Sequence, residues 1–320
     1  MKAAIIGYGN LGRGVEKALA RQNDMTGIGI FTRRDPETVQ SAGLPVYATD
    51  RLDEFDIDVC ILCGGSATDL MTQTPDIVRR FNVVDSFDTH ARIGEHFAAV
   101  DAAAKAGDKL GMISTGWDPG LFSLQRLIAQ SVLPNGETHT FWGKGVSQGH
   151  SDALRRIDGV ADAIQYTVPK EAAMAAVRSG QGARLTTRDK HLRVCYVVAE
   201  DGADTDAIRT TIVTMPNYFA DYDTEVHFID AKTMAAEHQG MPHGGTVMRR
   251  GETAPGMQQL YEFGLQLSSN PEFTAAVNVA CARAVHRAYT EGRRGCVTVF
   301  DLPLAYWSPV PAADLYKSIL

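Results

Sequence analysis

The sequence of 320 residues has few cysteines and no long hydrophobic run. Its five cysteines, an odd number in a chain of this size, argue against a framework of disulfide bonds and indicate reduced thiols. No segment reaches the roughly 20 continuous apolar residues that a membrane-spanning helix needs. Nor does the start read as a signal peptide, since Met1 and Lys2 lead through four apolar residues directly into glycines. We therefore expect a cytoplasmic protein with no membrane partner.

An excess of positive charge is also missing. The formal net charge is −7, whereas binding to nucleic acid or to an anionic membrane would need a concentrated basic face. The expected ligands are therefore small molecules. With 44% hydrophobic and 22% charged residues, the composition is that of an ordinary globular protein, and the length allows two domains.

Two of the cysteines, Cys60 and Cys63, form a CxxC pair within "DVCILC". This segment is predicted to be a strand, in which residues three positions apart point to opposite faces of the sheet. The two thiols then cannot bind one metal ion, and buried core positions are predicted for both. The sequence predicts no metal site.

The first third of the chain alternates short apolar runs with helical patterns. "KAAIIG" (2–7) ends at a glycine, and "NLGRGVEKALARQ" (10–22) has apolar residues at helical spacing. Further apolar runs lie at 27–31, 58–62, 81–84 and 109–113, with helical segments near 70–80 and 94–106. This alternation predicts an α/β fold, a Rossmann-type doubly wound parallel sheet with crossover helices.

The pattern changes after "STGWDPG" (114–120). Strands without regular crossover helices predict a second, α+β domain with an open mixed sheet: "HTFWG" (139–143), "RVCYVVAE" (193–200) and "TEVHFID" (224–230). An Ala-rich helix is predicted from Glu272 to Glu291, with Asn270 as its cap and Pro271 at its first position. We expect residues 1–117 to form the first domain, completed by 285–320, and residues 118–284 to form the second.

"GYGNLG" places Gly7, Gly9 and Gly12 in the GxGxxG spacing of dinucleotide-binding turns. The motif follows a predicted strand and begins a predicted helix, which is the context that gives it meaning. Gly7 would permit the tight turn, Gly9 would let the backbone approach a pyrophosphate, and Gly12 would allow close helix packing. Cofactor contacts are therefore expected from the whole turn: Gly7, Tyr8, Gly9, Asn10, Leu11 and Gly12.

NAD-binding chains place an acid roughly 20 residues after this fingerprint, where it accepts hydrogen bonds from the ribose 2′-OH. This chain has Thr32, Arg33 and Arg34 there instead. A guanidinium binds a 2′-phosphate through charge-assisted hydrogen bonds, whereas an acid would repel it. NADP is therefore the predicted cofactor. The alternative is that the two arginines form the solvated end of a strand.

Ligands of open parallel sheets collect outside the carboxyl ends of the strands, and this rule selects residues 63–66, 85–88 and 115–118. Cofactor contacts are expected in and just after the first of these segments, from Cys63, Gly64, Gly65, Ser66 and Thr68. Asp88 and Asp118 would hold an ammonium group or act as a general base. Alternatively, Asp118 caps the helix that follows and Asp88 closes a turn. Trp117 would either form a wall of the pocket or simply pack beside the loop.

Four longer motifs stand in order over nearly the whole chain: "GYGNLGR", "STGWDPG", "FWGKGVSQGHSDALRRI" and "GMPHGG". Together they resemble the meso-diaminopimelate D-dehydrogenase family. The resemblance implies an NADP-dependent oxidative deamination at the D-centre of meso-2,6-diaminopimelate, to L-2-amino-6-oxopimelate, ammonia and NADPH, in lysine biosynthesis. It also implies a homodimer whose second domain serves substrate binding and dimerisation.

The resemblance also implies roles for single residues. At the D-amino end, Asp88 and Asp118 would orient and deprotonate the amine, with the choice of base left open, beside Trp117, Trp142, Gln148, Gly149 and Asp152. At the L-centre it implies Thr167, Arg193, His243 and Asn270. An arginine fork suits a carboxylate. Plainer interpretations exist, with Arg193 as a surface charge, His243 as a residue that orders a loop and Thr167 as an ordinary strand residue.

Two other functions fit part of the pattern. An NADP oxidoreductase acting on a hydroxy acid or an aldehyde would share the fingerprint and the arginines, but it would normally supply a lysine or histidine as its acid/base. A non-enzymatic NADP sensor would keep the fingerprint without a charged second pocket. Formation of NADPH from meso-diaminopimelate distinguishes these functions from the one that the resemblance implies.

Overall fold

The structure is a computed structural model, and it describes residues 1–182 and 184–320. Its strands are β1 Lys2–Ile6, β2 Thr26–Thr32, β3 Val46–Ala48, β4 Val59–Leu62, β5 Asn82–Asp85, β6 Leu110–Met112, β7 Glu137–Trp142, β8 Gly145–Val146, β9 Val160–Pro169, β10 His191–Ala199, β11 Asp223–Phe228, β12 His243–Ala254, β13 Met257–Leu267 and β14 Gly295–Val297. Its α-helices are α1 Asn10–Leu19, α2 Met71–Ile77, α3 Ile93–Ala106, α4 Leu121–Val132, α5 Gln148–Leu154, α6 Glu171–Ser179, α7 Thr187–Lys190, α8 Thr205–Thr214, α9 Ala231–Glu237, α10 Asn270–Thr290 and α11 Ala312–Ser318. None of the helices in these described ranges has the length and apolar content required to cross a membrane.

The chain divides into two compact units. The first comprises Met1–Leu124 and Pro271–Leu320, and the second comprises Gln125–Asn270. The sequence placed the boundaries after residue 117 and before residue 285, so α10 was expected in the second domain up to 284. From Pro271 onward, α10 instead lies in the first unit, because Gly14 of α1 packs closely against it. A Cβ on Gly14 would lie only 2.9 Å from the Cβ of Ala275.

The first unit is built on a seven-stranded sheet in the order β14-β6-β5-β4-β1-β2-β3. Every pair of neighbouring strands is parallel. Apolar clusters cover both faces: one contains Ile5, and the other contains Ile6. This arrangement confirms the predicted Rossmann-type fold. β1 lies between β4 and β2, at the point where the strand order reverses and such sheets bind their ligands.

The CxxC cysteines lie on opposite sides of this sheet, as their spacing predicts. Cys60 belongs to one apolar cluster, and Cys63 packs against the other. The prediction that both are fully buried is wrong for Cys63, which is half-buried, because β4 ends at Leu62 and Cys63 begins the following loop. All five cysteines are free thiols. Within residues 1–182 and 184–320, no three His, Cys, Asp or Glu side chains gather as a metal site.

The second unit contains two sheets where the sequence predicted one. The predicted open mixed sheet has the order β11-β10-β9-β8, with β10 and β11 parallel and the other pairs antiparallel. A separate antiparallel sheet has the order β13-β12-β7. Its long β12–β13 hairpin was not predicted. In the mixed sheet, β9 and β10 are paired so that Thr167 lies opposite Arg193.

Candidate active site

The fingerprint turn has the backbone geometry that its glycines predict. Gly7 follows β1 with a φ of +91°, and its amide donates to the carbonyl of Phe31 at 2.8 Å. A Cβ on Gly12 would lie 2.3 Å from the carbonyl oxygen of Gly7, whereas one on Gly9 would meet nothing within 4 Å. The space over Gly9, at the N-terminus of α1, is therefore open in the first unit. Backbone amides that point out of the first turn, together with the helix dipole, make such a terminus suited to phosphate.

The two arginines after β2 differ in their contacts. Arg34 donates from Nη2 to the carbonyl of Tyr8 at 2.7 Å, and its own amide donates to Thr32 Oγ1 at 3.1 Å. Arg33 is 70% exposed in its side chain and donates from Nη2 to Asp69 Oδ1 at 2.6 Å. Arg34 thus braces the fingerprint turn, and Arg33 presents its guanidinium to solvent.

The loop after β4 converges on Asp69. The amide of Gly65 donates to Asp69 Oδ2 at 2.9 Å, and a Cβ on Gly64 would lie 2.9 Å from the Cβ of Asp69. Hydrogen bonds from the Gly65 amide and then from Arg33 lower the pKa of Asp69. This carboxylate therefore links Arg33 to the predicted cofactor loop. Sequence reasoning did not select it, since an acid inside a helical turn has no distinctive pattern.

Ser66 joins the cofactor loop to the loop that carries Asp88. Its Oγ accepts from the amide of Asp88 at 2.9 Å and from the amide of Thr89 at 3.2 Å. Thr68 is exposed nearby. Asp88 itself is exposed. Two residues predicted from different strands, Ser66 and Asp88, are thus in contact at the carboxyl edge of the sheet.

Asp118 and Trp117 lie in the segment between β6 and α4. Trp117 is buried, with its ring edge-on to Phe122 at a centroid distance of 5.2 Å, and Asp118 is half-buried. This packing fixes the residue that directly precedes Asp118. α4 begins at Leu121, so the cap position directly before the helix is Gly120, two residues after Asp118.

Asp85 and His96 form a fully buried pair beneath these loops. His96 Nε2 lies 2.6 Å from Asp85 Oδ2, and both side chains have no exposed surface. Asp85 was included only as the start of segment 85–88, and His96 was not selected. The pair joins a strand end to α3, and the primary sequence gives no signal for that contact.

The second unit brings Thr167 and Arg193 together. They are directly opposite on β9 and β10, and Arg193 Nη1 donates to Thr167 Oγ1. Arg193 is only 7% exposed, so the interpretation of it as a surface charge is wrong. Its guanidinium carbon lies 3.9 Å from the centroid of the Tyr222 ring. Burial lowers the pKa of Arg193, and the nearby Tyr222 opposes that effect.

One donor of Arg193 is unused. Among the residues that the structure describes, the buried Nε atom has no hydrogen-bond partner, and neither has the buried Gln165 Oε1 two residues before Thr167. A buried cation with an unpaired N–H is unfavourable unless an acceptor arrives. The arrangement is therefore suited to an anionic ligand such as a carboxylate. Gln165 was not predicted, although its spacing from Thr167 along a strand places both on one face.

Trp142 is held by a histidine that sequence reasoning also missed. Its amide donates to His191 Nε2 at 2.9 Å, and its ring stacks on the imidazole at 5.4 Å between centroids. Burial, and next the charge of Arg193, lower the pKa of His191 to about 4. Trp142 is 38% exposed, so a fixed indole is presented at the surface of the second unit.

Gln148 and Asn270 both contact Met241. Gln148 Nε2 lies 2.9 Å from Met241 Sδ, and the Asn270 amide donates to the Met241 carbonyl at 2.9 Å. His243 begins β12 and packs on β8, because a Cβ on Gly145 would lie 2.4 Å from its ring. His243 is thus the first residue of a strand.

Asp152 is less well placed to bind a substrate than the other residues predicted for that role. It is an exposed residue of α5 that pairs with Arg155 at 2.6 Å. Gly149, on the same helix, is exposed, with nothing within 4 Å of a Cβ built on it. The helix leaves room above Gly149, while the Asp152 carboxylate is occupied by its own neighbour.

Known proteins resemble this chain over its whole length. A family model described as "Diaminopimelic acid dehydrogenase C-terminal domain" matches residues 116–269. The Meso-diaminopimelate D-dehydrogenase of Lysinibacillus sphaericus is 54% identical over 100% of this chain and 99% of the relative. The structure of C. glutamicum DAP dehydrogenase in complex with DAP has 45% identity and a TM-score of 0.92, covering 100% and 99% of the two chains. An engineered D-amino acid dehydrogenase bound to NADP+ has 43% identity and a TM-score of 0.87, with the same coverage.

Proposed function

Because this chain belongs to the meso-diaminopimelate D-dehydrogenase family, we propose that it catalyses the reaction for which that family is named. The reaction is the NADP-dependent oxidative deamination of meso-2,6-diaminopimelate at its D-centre. Water hydrolyses the imine left after hydride transfer, so the products are L-2-amino-6-oxopimelate, which cyclises to tetrahydrodipicolinate, together with ammonia, NADPH and a proton. The reaction is reversible and serves lysine and diaminopimelate biosynthesis. The observation that carries the proposal is 54% identity to a relative of that name over the whole chain.

The residues of the first unit fit NADP. The open space over Gly9 leaves room for a pyrophosphate at the start of α1. Arg33 and Arg34 replace the acid that would repel a 2′-phosphate, and the exposed Arg33 has a guanidinium that can turn from Asp69 to that phosphate. When bound, the nicotinamide ring accepts the hydride. These residues make NADP the expected cofactor and disfavour the alternative that Arg33 and Arg34 only form the solvated end of a strand.

At the D-centre, Asp88 and Asp118 bind and deprotonate the amine. Hydride leaves the carbon only when the neighbouring nitrogen has a free lone pair, so the ammonium group must lose a proton first. Asp118 is assigned to orientation and deprotonation, assisted by Asp88. The buried Trp117 holds the backbone before Asp118. Trp142, Gln148, Gly149 and Asp152 are proposed to surround this end of the substrate.

At the L-centre, Arg193 and Thr167 bind the distal carboxylate. Arg193 is anchored through Nη1 and keeps its buried Nε unpaired, so an arriving carboxylate meets a donor that has no competing acceptor. Arginine is suited to this role because its planar fork matches the two oxygens. His243 and Asn270 are proposed to contact the same end of the substrate.

The proposal is tested by measuring NADPH formation with meso-diaminopimelate, the L,L- and D,D-isomers and simple D-amino acids. We expect NADPH and ammonia in equal amounts with the meso compound and no reaction with the L,L-isomer. Asp118→Asn should lower kcat at least about 100-fold and leave the Kd for NADP within a factor of two. Asp56→Asn is the matched control, because the exposed Asp56 carboxylate pairs with Lys2 at the start of β1, away from the carboxyl ends of the strands. Activity on a hydroxy acid, or equal losses in both aspartate variants, would contradict the proposal.

We also propose a homodimer that works in the cytoplasm. Large apolar side chains are exposed on α4, where Leu127 is 41%, Ile128 is 37% and Val132 is 59% exposed, and on β13, where Met257 is 57% exposed. Apolar surface of this kind is typical of interfaces between subunits. The five free thiols fit a reducing compartment. Sedimentation analysis of wild type and Val132→Glu tests the dimer, since the charge should shift the equilibrium to monomer.

A further inference from the structure

We propose that Asp85, held by His96, is a positioning residue that sets the places of the two loops carrying Asp88 and Asp118. The inference rests on the proposed function, because it assigns a role relative to those two aspartates. All the residues involved lie in the first unit. Asp85 does not reach the substrate in this role and acts through hydrogen bonds to the loops.

One oxygen of Asp85 binds both loops at once. Oδ1 accepts from the amide of Phe87 at 3.1 Å and from the amide of Ser114 at 3.0 Å. Phe87 directly precedes Asp88, and Ser114 begins the segment that leads to Asp118. The separation between the two loop backbones is therefore fixed by a single atom.

The backbone carbonyl of Asp85 adds a second connection to the segment that follows Ser114. It accepts from the amide of Thr115 at 2.9 Å and from Thr115 Oγ1 at 2.8 Å. Ser114 itself has a φ of +55°, a left-handed conformation that non-glycine residues adopt only when their surroundings impose it. The hydrogen bond from its amide to Asp85 supplies such a constraint, so loss of that bond should release this turn.

The second oxygen of Asp85 connects the loops to helices. Oδ2 lies 2.7 Å from Thr74 Oγ1 of α2 and 2.6 Å from His96 Nε2 of α3. A carboxylate oxygen only accepts hydrogen bonds, so His96 donates from Nε2. The imidazole also stacks on Phe87 at 4.2 Å between centroids. His96 thus holds both Asp85 and the residue before Asp88.

Burial makes this arrangement specific. Burying a carboxylate costs free energy unless its oxygens are satisfied, and here four groups that can donate surround two fully buried oxygens. Two of these donors lie on α2 and α3, and the other two lie on the loops that carry Asp88 and Asp118. Displacements of about 1 Å in a catalytic group can cost about 100-fold in rate, so a shared buried anchor is suited to holding Asp88 and Asp118 in register.

The experiment compares wild type with Asp85→Asn, His96→Phe and Asp101→Asn. Asparagine keeps one accepting oxygen but turns the other into a donor. Phenylalanine keeps the stack on Phe87 and removes the donor to Asp85. Asp101 is the matched control, because it lies on α3 with His96 and accepts from the amide of Cys296 at 3.0 Å, a contact with neither loop.

We expect Asp85→Asn to lower kcat for meso-diaminopimelate about 10- to 100-fold, while the Kd for NADP stays within a factor of two. His96→Phe should lower kcat less, and Asp101→Asn should leave it within a factor of two. In the Asp118→Asn background, Asp85→Asn should have little further effect on kcat, because the two changes act on one function. Hydrogen exchange at the Phe87 and Ser114 amides should speed up in Asp85→Asn and stay unchanged in Asp101→Asn.

Unchanged kinetics and unchanged exchange in a folded Asp85→Asn protein would overturn the inference. So would kcat and NADP affinity falling together by the same factor, or an equal loss of kcat in Asp101→Asn, since either would indicate a general structural role. A wild-type protein that forms no NADPH from meso-diaminopimelate would overturn the proposed function, and with it the catalytic part of this inference. If wild type turns over normally and the Asp85→Asn variant is unaffected, the inference is overturned and the proposed function stands.

Discussion

Acid should release Trp142 and destabilise the second unit through His191. The imidazole accepts the Trp142 amide hydrogen at Nε2 over 2.9 Å and is 2% exposed. Protonating Nε2 would place two donors face to face beside the charge of Arg193. The folded protein therefore keeps His191 neutral, and its pKa lies at about 4 instead of 6.5, owing to burial and then to Arg193.

The size and sign of the effect follow from this shift. Between pH 6.5 and 4 the unfolded chain binds a proton at His191 that the folded chain does not, so the free energy of unfolding falls as the pH is lowered through this range. The stability associated with the neutral His191 is fully present above about pH 7 and is lost by about pH 4. At about 1.4 kcal/mol for each pKa unit, the loss from this residue is of the order of 3 kcal/mol.

Urea unfolding at several pH values between 7.5 and 4, followed by tryptophan fluorescence, measures this loss. The variant is His191→Gln, whose side-chain oxygen can accept the Trp142 amide hydrogen and does not titrate. Between pH 7 and pH 4, the decrease in its free energy of unfolding should be about 3 kcal/mol smaller than the decrease in wild type. His227→Gln, at a 48% exposed histidine of β11, is the control. Parallel pH profiles for wild type and His191→Gln would refute the reasoning.

Three further predictions concern the binding residues. Arg33→Ala should weaken NADP binding about 10- to 100-fold, as expected for a lost charge-assisted hydrogen bond, while NAD binding and Tm stay nearly unchanged. Arg34→Ala should weaken NADP binding and also lower Tm, because it releases the Tyr8 carbonyl. Titration calorimetry with NADP and NAD, together with thermal unfolding, distinguishes the two variants. Arg193→Lys should raise KM for meso-diaminopimelate at least about 10-fold through loss of the fork, with NADP affinity unaffected; an unchanged KM would contradict its role. Gly12→Ala should impair NADP binding and lower stability by about 1–3 kcal/mol, since the new Cβ meets the Gly7 oxygen at 2.3 Å, and a variant that binds NADP normally would contradict this.

The elements that the sequence predicted are those with a strong local pattern. β1, the fingerprint turn and α1 combine an apolar run, fixed glycines and helical periodicity, and α10 begins at Asn270, the residue that was predicted to cap it. The β12–β13 hairpin was missed although the second half of β13 carries a strand pattern, since Tyr261, Phe263, Leu265 and Leu267 alternate with Glu262, Gly264 and Gln266. β14 was missed because it has only three residues, and it is a strand only through its pairing with β6.

The site was predictable where one segment carries the chemistry, and hidden where distant segments share it. Arg33 and Arg34 predict NADP because they stand where NAD-binding chains carry an acid. Arg193 acquires its meaning only from the register of β9 and β10, which buries it opposite Thr167. Had the strands been paired one residue out of register, Arg193 would face the other side of the sheet from Thr167. A single-residue insertion in β9 before Thr167 should therefore abolish substrate binding while leaving the first unit able to bind NADP. Loss of NADP binding in that variant would show that the two units do not retain their structures independently.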